Sequence, residues 1–356
     1  MTPGAAPRLI GAAVLLVALA LLAVVLGSVP VRLEDVVDAL VPWLRAESAG
    51  AATAGGVTDG SAPPSLGFQI VTLVRLPRVA TAAGAGAALA LAGLVMQTVF
   101  RNALAGPGVL GVSAGAGLGV AAVLLAGIGA TVPGVTVLAA MVGAAGVLLA
   151  AVGVNRIVGH PVLLLVMGLL FGYAASALTT LLMASAPSQG LERYVIWSFG
   201  SFGLPPGAGP RLLPVVAIVA AALLTVAGPR IDALLLGSHY AESSGVDARR
   251  TQGVLIVVAG LLTGIVTAYT GPISFLGVAA PHIARGWMHS SRHRRLVPAT
   301  AIIGGAIAIT ADLVARLPGS DLVLPLNAVM ALVGVPVVLV VLIRGRNGGG
   351  DEGLGL

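Results

Sequence analysis

The sequence predicts an all-α, polytopic membrane protein with about ten transmembrane helices in a single domain over residues 1–356, and three observations carry that prediction. Apolar residues make up 58% of the chain and charged residues only 9%, where a soluble domain carries roughly 25% charged. The mean hydropathy is +1.05, so the 50 Gly and 22 Pro do not signal disorder, which requires low hydrophobicity. Apolar runs long enough to cross a hydrocarbon core of about 30 Å recur along the chain, and a self-satisfied helix is what lipid demands of each backbone. With no Cys, disulfides, thiolate metal sites and thiol nucleophiles are excluded together. Lys is also absent, so all 19 basic residues are Arg. They are scattered singly between apolar runs, which reads as membrane topology and not as a basic face for nucleic acid.

The spans run approximately Leu9 to Leu26, Pro77 to Val99, Gly111 to Ile128, Thr131 to Val154, Val162 to Ala184, Leu212 to Ala227, Gly253 to Tyr269, Ile273 to Met288, Leu296 to Val314 and Leu322 to Ile343. The first is too long for the apolar core of a secretory signal and lacks a clean small-residue cleavage site, so it is read as a retained helix. The eighth carries Pro281, His282 and Arg285, and hydropathy alone would leave it out. Arginine accumulates on the cytoplasmic side. Ten spans with a cytoplasmic N-terminus place 12 of the 19 arginines inside, whereas nine spans invert the count. Ten spans with both ends cytoplasmic is therefore the expected topology, in a bacterial inner membrane.

Residues 28–72 form the expected outer loop. Within it Val36, Val37, Leu40, Val41 and Leu44 recur at helical spacing, which suits a short helix lying on the membrane surface. Residues 345–356 read as a disordered tail. Small-xxx-small spacing at Gly111/Gly115/Gly119, Gly168/Gly172 and Gly260/Gly264 predicts close helix packing. Gly106-Pro107 precedes the third span from inside, and Gly271-Pro272 precedes the eighth from outside. Paired Gly/Pro-interrupted segments of opposite direction mark inverted repeats with a transport path between the halves.

Intramembrane charge is scarce, which argues against an ion-coupled carrier or proton pump. Asp312 and Arg316 form an i, i+4 pair that neutralises itself. His282 reads as a packing or backbone-capping histidine. No cluster of His or carboxylates has metal-ligand spacing, and no phosphate loop, dinucleotide fingerprint or HExxH occurs. The chain is thus expected to have no catalytic residue, no metal and no directly bound cofactor.

The polar stretch 228–252 between the sixth and seventh spans is longer than an ordinary connection between helices and reads as a cytoplasmic docking segment. It presents an apolar patch at Leu234, Leu235 and Leu236, followed by Tyr240, Ala241, Ser243, Ser244 and Gly245.

The run RLPRVATAAGAGAALALAGLVMQTVFRNALAGPGVLGVSAGAGLG, Arg75 to Gly119, resembles the signature of the FecCD family, the type II ABC importer permeases for iron chelates, haem and cobalamin. LLLGSHYAESSGVDARR (Leu234 to Arg250), TGPISFLGVAAPHIAR (Thr270 to Arg285), ADLVAR (Ala311 to Arg316) and PLNAVMALVGVPVVLVVLIR (Pro325 to Arg344) match in the same order. The resemblance implies a permease that works as a homodimer or with a related permease. It also implies two ABC ATPase subunits holding ATP and Mg below the membrane and a periplasmic or lipid-anchored solute-binding protein above it. It assigns Leu234 to Val246 to ATPase coupling, with Gly237 and Gly245 permitting sharp turns at its ends. Arg75, Arg78 and Arg316 match arginines offered to the binding protein. Asn102 and Leu104, with His160 and Pro161 opposite, match positions that narrow the gate. The family more often has Pro at Ala103 and small polar residues at 160 and 161. A ferric siderophore is the leading cargo, haem or cobalamin the alternative, and an ion-coupled carrier acting alone the reading from another class.

Overall fold

The computed structural model describes residues 5–27, 29–44, 65–127, 132, 134–158, 161–204, 209–316 and 323–348. Among these there is no strand. The helices are α1 (Ala5–Val25), α2 (Leu33–Leu44), α3 (Leu66–Val99), α4 (Val112–Leu124), α5 (Val135–Val158), α6 (Pro161–Ala184), α7 (Ser188–Ser198), α8 (Leu212–Leu235), α9 (Ser238–Ser243), α10 (Ala248–Thr270), α11 (Leu276–Met288), α12 (His293–Ala315) and α13 (Leu326–Gly348). Seven of them, α1, α3, α5, α6, α8, α10 and α12, are long and apolar enough to cross a membrane. With the 13-residue α4 and α11 and with α13, they make up the expected ten.

Helix α3 is the axis of the molecule, packed on α8, α10, α11 and α12. Of Leu76–Val99 only Arg78, Ala80 and Ala83 are not buried. A helix that is apolar all round belongs in the middle of a bundle, and its Ala and Gly let neighbours approach to backbone contact. A methyl group added to Gly86 would collide with Gly304 of α12, and one on Gly93 with Gly277 of α11. The predicted glycine seams form as well: Gly115 and Gly119 of α4 face Gly143 and Ala139 of α5, and Gly111 meets Gly168 and Gly172 of α6. Gly260 and Gly264 of α10 receive Leu148 and Ala144 of α5.

Several boundaries depart from hydropathy. Helix α3 starts at Leu66, inside the expected outer loop, because Ser65 caps it by accepting from Phe68 N at 3.1 Å. It contains a π-turn at Val71–Arg75. The surface helix of the outer loop is α2, with Val36 and Ala39 buried and Val37 exposed. Helix α7, near zero in hydropathy, is an element that an apolar-run search passes over. Helix α8 does not stop at Ala227 but continues past Pro229 to Leu235, because Ile231 and Leu234 are buried one turn apart and carry the helix beyond the apolar run. Helix α13 continues to Gly348, beyond the expected start of the tail at 345, and residues 349–356 lie outside the described residues.

The order of elements repeats. A long helix (α3), a Gly-Pro loop, a 13-residue helix (α4) and two long helices (α5, α6) are followed later by α10, a second Gly-Pro loop, the 13-residue α11, and α12 and α13. Thirteen residues rise about 20 Å, well short of a full crossing.

Candidate functional site

The two short helices start inside the bundle. Pro107, five residues ahead of α4, lies against Gly277, the second residue of α11: a Cβ on Gly277 would be 2.7 Å from the Pro107 Cγ and 2.9 Å from the Leu89 carbonyl. Leu89 and Gly93 of α3 sit ten and six residues before that helix ends, about 9 to 15 Å from its end by helix rise. Irregular backbone at such depth survives only if its polar groups find partners in the protein, and here they do. Gly111 N donates to Gly108 O at 2.9 Å, and Gly111, at φ +72°, turns the chain into α4. On the other side Phe275, at φ +64°, starts α11. There Asn327 Oδ1 of α13 accepts from Ser274 N at 3.1 Å, and Thr270 O accepts from Ser201 N at 2.8 Å. Both positive helix ends thus lie in the interior.

Beside α4 a cavity of about 320 Å³ is lined by hydroxyls of Ser113, Ser176, Thr179 and Thr180, by Tyr194 and Trp197 of α7, and by Pro272. No charged side chain lines it. Burial holds the Tyr194 phenol above its ordinary pKa, an effect that a hydrogen bond with Thr179 partly offsets, so it presents a neutral hydroxyl.

At the opposite end, α9 and its two turns form a protruding segment. Gly237 at φ +115° and Gly245 at φ +79° bracket the helix in backbone conformations open to glycine, as the turn reading of these positions predicts. Ala241 is buried as its foot, while Leu235, Leu236 and Tyr240 are 40%, 66% and 51% exposed. Ser243, Ser244 and Gly245 are exposed and Val246 is half-buried. The expected triple-leucine patch is corrected to two leucines, since Leu234 faces inward at 1% exposure. The base of the segment is tied by residues that sequence reading missed. Asp232 Oδ1 accepts from His293 N at 3.0 Å and meets His293 Nδ1 at 2.6 Å. His293 Nε2 then meets Thr98 Oγ1 at 3.0 Å. One imidazole thereby joins α8, α12 and the end of α3. Sequence separations of 61 and 195 residues left no local signal for it.

Nearby, the turn after α3 holds two of the expected gate residues. Asn102 Oδ1 accepts from Leu104 N at 2.9 Å, and Leu104 is 41% exposed. His282 caps this turn, with Nε2 2.8 Å from Ala103 O, as its backbone-capping reading anticipates. Pro161 opens α6. His160 lies outside the described residues.

On the face that carries α2, the three expected docking arginines diverge. Arg75 is 3% exposed, and its guanidinium donates to Val24 O at 2.8 Å, to Val25 O at 2.7 Å and to Val29 O. It is spent on the last carbonyls of α1, which have no intrahelical donors, and is not presented for docking. Arg78 and Arg316 converge on Asp312, at 2.9 and 3.0 Å. The predicted Asp312–Arg316 pair is therefore one half of a triad, with one carboxylate between two guanidinium groups. Among the described residues no group of three or more His, Asp or Glu is placed to hold a metal.

Comparison with known proteins matches residues 15–344 to the FecCD transport family. The vitamin B12 import system permease protein BtuC of Vibrio cholerae serotype O1 is 34% identical over 290 residues, 81% of this chain and 86% of the relative. The cobalamin import system permease protein BtuC of Halobacterium salinarum is 32% identical, over 93% of this chain and 94% of the relative. In fold, the chain superposes with TM-score 0.76 and 24% identity on the inward-facing structure of a protein assigned to the metal-chelate type of ABC transporter, over 96% of this chain and 100% of that one.

Proposed function

Because this chain belongs to the FecCD transport family, a family of membrane permeases of type II ABC importers, we propose that it moves a metal chelate inward across the cytoplasmic membrane by alternating access. The observation that carries this reading is the α9 segment, a glycine-bracketed helix with Leu235, Leu236 and Tyr240 exposed. It is bolted through His293 to α12 and to the axial helix. In this reading the α9 face and both termini are cytoplasmic, and a separate ABC ATPase, which binds ATP and Mg, grips α9. A second copy of the permease, or a related one, and its ATPase complete the motor. Closure of the ATPases would draw the α9 segments together, and the energy would enter as differential contact with two states of the motor. Leu234 serves as the anchor of that handle and not as part of its grip.

On the α2 face, Arg78 and Arg316 share Asp312, which leaves one uncompensated positive charge for an acidic knob of a solute-binding protein. The uncharged, hydroxyl-lined cavity between α4, α6 and α7 suits passage of a large cargo without tight binding. The turn at Asn102 and Leu104, together with His160 and Pro161, forms the inner gate.

A ferric siderophore is the first cargo reading. Cobalamin is the second, favoured by the vitamin B12 and cobalamin permeases among the relatives at 32–34% identity. The test is uptake into proteoliposomes holding the chain, its ATPase and its binding protein, with labelled ferric siderophore and labelled cobalamin offered side by side. ATP-dependent uptake lost on Tyr240→Ala combined with Leu236→Ala supports the reading, and the cargo taken up decides between the two. Uptake by the chain alone, driven by an ion gradient, would overturn it in favour of a secondary carrier.

A further inference from the structure

Two cavities run into each other on the flank formed by α1, α11, α12 and α13. The first, of about 690 Å³, opens at the α9 face between Arg8, His289 and Trp287, with Pro336, Val337 and Val340 of α13 as its far wall. The second, of about 300 Å³, shares Ile283 and Trp287 with it and continues along α12 from Ile303 to Val314, with Leu15, Leu19 and Val333 on the other sides. Ile303 to Val314 rises about 16 Å, close to half of a hydrocarbon core of about 30 Å. Val314 lies two residues from Asp312, so the groove runs from its mouth at the α9 face most of the way along α12 toward the α2 face, and beyond the mouth its lining is apolar apart from Thr310.

The mouth is built. Arg8 Nη1 donates to Met288 O at 3.1 Å and lies 3.2 Å from His289 Nδ1. Trp287 Nε1 donates to Arg8 O at 2.9 Å. His289 adopts φ +48° as it ends α11, with its own N–H on Arg285 O at 2.9 Å. This holds a guanidinium, an imidazole and an indole together at the level where a membrane's polar groups begin, the depth at which Trp is enriched. No carboxylate lines either cavity, and Arg8 meets only a backbone carbonyl and an imidazole there, so no acidic group offsets its charge at the opening.

We propose that this groove binds one anionic phospholipid, with the phosphate on Arg8 and His289 and one acyl chain laid along α12 beneath Trp287. A cationic mouth above a long apolar slot with room for an acyl chain is complementary to such a lipid at both ends, whereas a zwitterionic lipid would bring its own ammonium group against Arg8. The site requires only that the chain spans a membrane, and it is independent of which cargo is carried.

The experiment uses the full chain in vesicles, with Trp43→Phe and Trp197→Phe so that Trp287 is the sole fluorophore. Its quenching is measured by phosphatidylglycerol or phosphatidylcholine brominated on the acyl chain. Brominated phosphatidylglycerol should quench at roughly tenfold lower mole fraction, the scale of one charge-assisted hydrogen bond, and Arg8→Gln should abolish the difference. Thr310→Phe, which fills the slot away from the mouth, should weaken quenching by both lipids while leaving the fold intact. Equal quenching by the two lipids in the parent chain, or a preference that survives Arg8→Gln, would overturn the anionic site. Undiminished quenching in Thr310→Phe would overturn the seating of the acyl chain.

Discussion

Helices α4 and α11 are counterparts, each 13 residues long, each launched by a Gly-Pro loop from inside the bundle, yet they are held by different forces. Helix α4 is fixed by close packing: Gly111, Gly115 and Gly119 bring its backbone against Gly168, Gly143 and Ala139. Helix α11 has one such contact, Gly277 on Gly93, and adds polar tethers to it. Arg285 Nη1 donates to Gln97 Oε1 at 2.6 Å and Gln97 Nε2 to Val278 O at 3.3 Å. His282 reaches Ala103 O, and Asn327 receives Ser274 N. Where helices touch through glycine, dispersion over a large shared surface sets the position and tolerates no added atom. Where they are joined by side-chain hydrogen bonds, each tether is lost singly and leaves the others in place. The second kind of joint suits an element beside the proposed gate, which must adopt more than one position.

The largest expected effect tests the close-packed half. Gly143→Val would place a methine against the Gly115 carbonyl and within 3.0 Å of Gly119 N. It should destabilise the protein by about 3 kcal/mol, the upper end of overpacking costs, read as a drop in the thermal unfolding midpoint in detergent. If this variant unfolds no earlier than the parent, α4 is not held by its glycine seam and the contrast fails.

The next effect tests the tethered half. Gln97→Leu removes the acceptor of a half-buried guanidinium and should cost about 2 kcal/mol. Adding Arg285→Leu should recover part of that loss, because removing both partners leaves no charge stranded. A double variant less stable than Gln97→Leu alone would mean that Arg285 has a structural partner beyond Gln97. The smallest effect sharpens the comparison by counting tethers. His282→Leu and Asn327→Leu each remove one bond to backbone and should cost about 1 kcal/mol apiece, adding within error as sites with no shared partner do. Both should change uptake rate more than unfolding temperature.

How much of this was legible follows from where each signal lives. The spans could be read because lipid imposes its demand on every residue of a crossing helix, so composition over about 20 positions suffices. Gly237 and Gly245 could be read as turns because backbone freedom is a property of one residue. The C-terminal end of α8 could not: Arg230 and Asp232 end the apolar run, and only the inward packing of Ile231 and Leu234 shows that the helix goes on. Arg75 reads as a surface cation in sequence, and its burial against the end of α1 is invisible there. The same holds for Arg78, whose carboxylate lies 234 residues away.

The sequence by itself determined the class of protein, the approximate places of its apolar helices, the glycine seams and the segment that protrudes, since each follows from local composition or the spacing of neighbours in the chain. Only the tertiary structure decided which arginines are spent and which keep their charge. It alone set α3 at the axis, joined α8, α12 and α3 through one histidine, and opened a slot behind Arg8. Those outcomes depend on which surfaces meet, and in a bundle of similarly apolar helices, where lipid provides no hydrophobic bias toward one pairing over another, the partner is chosen by shape and by hydrogen bonds made across the whole length of the chain.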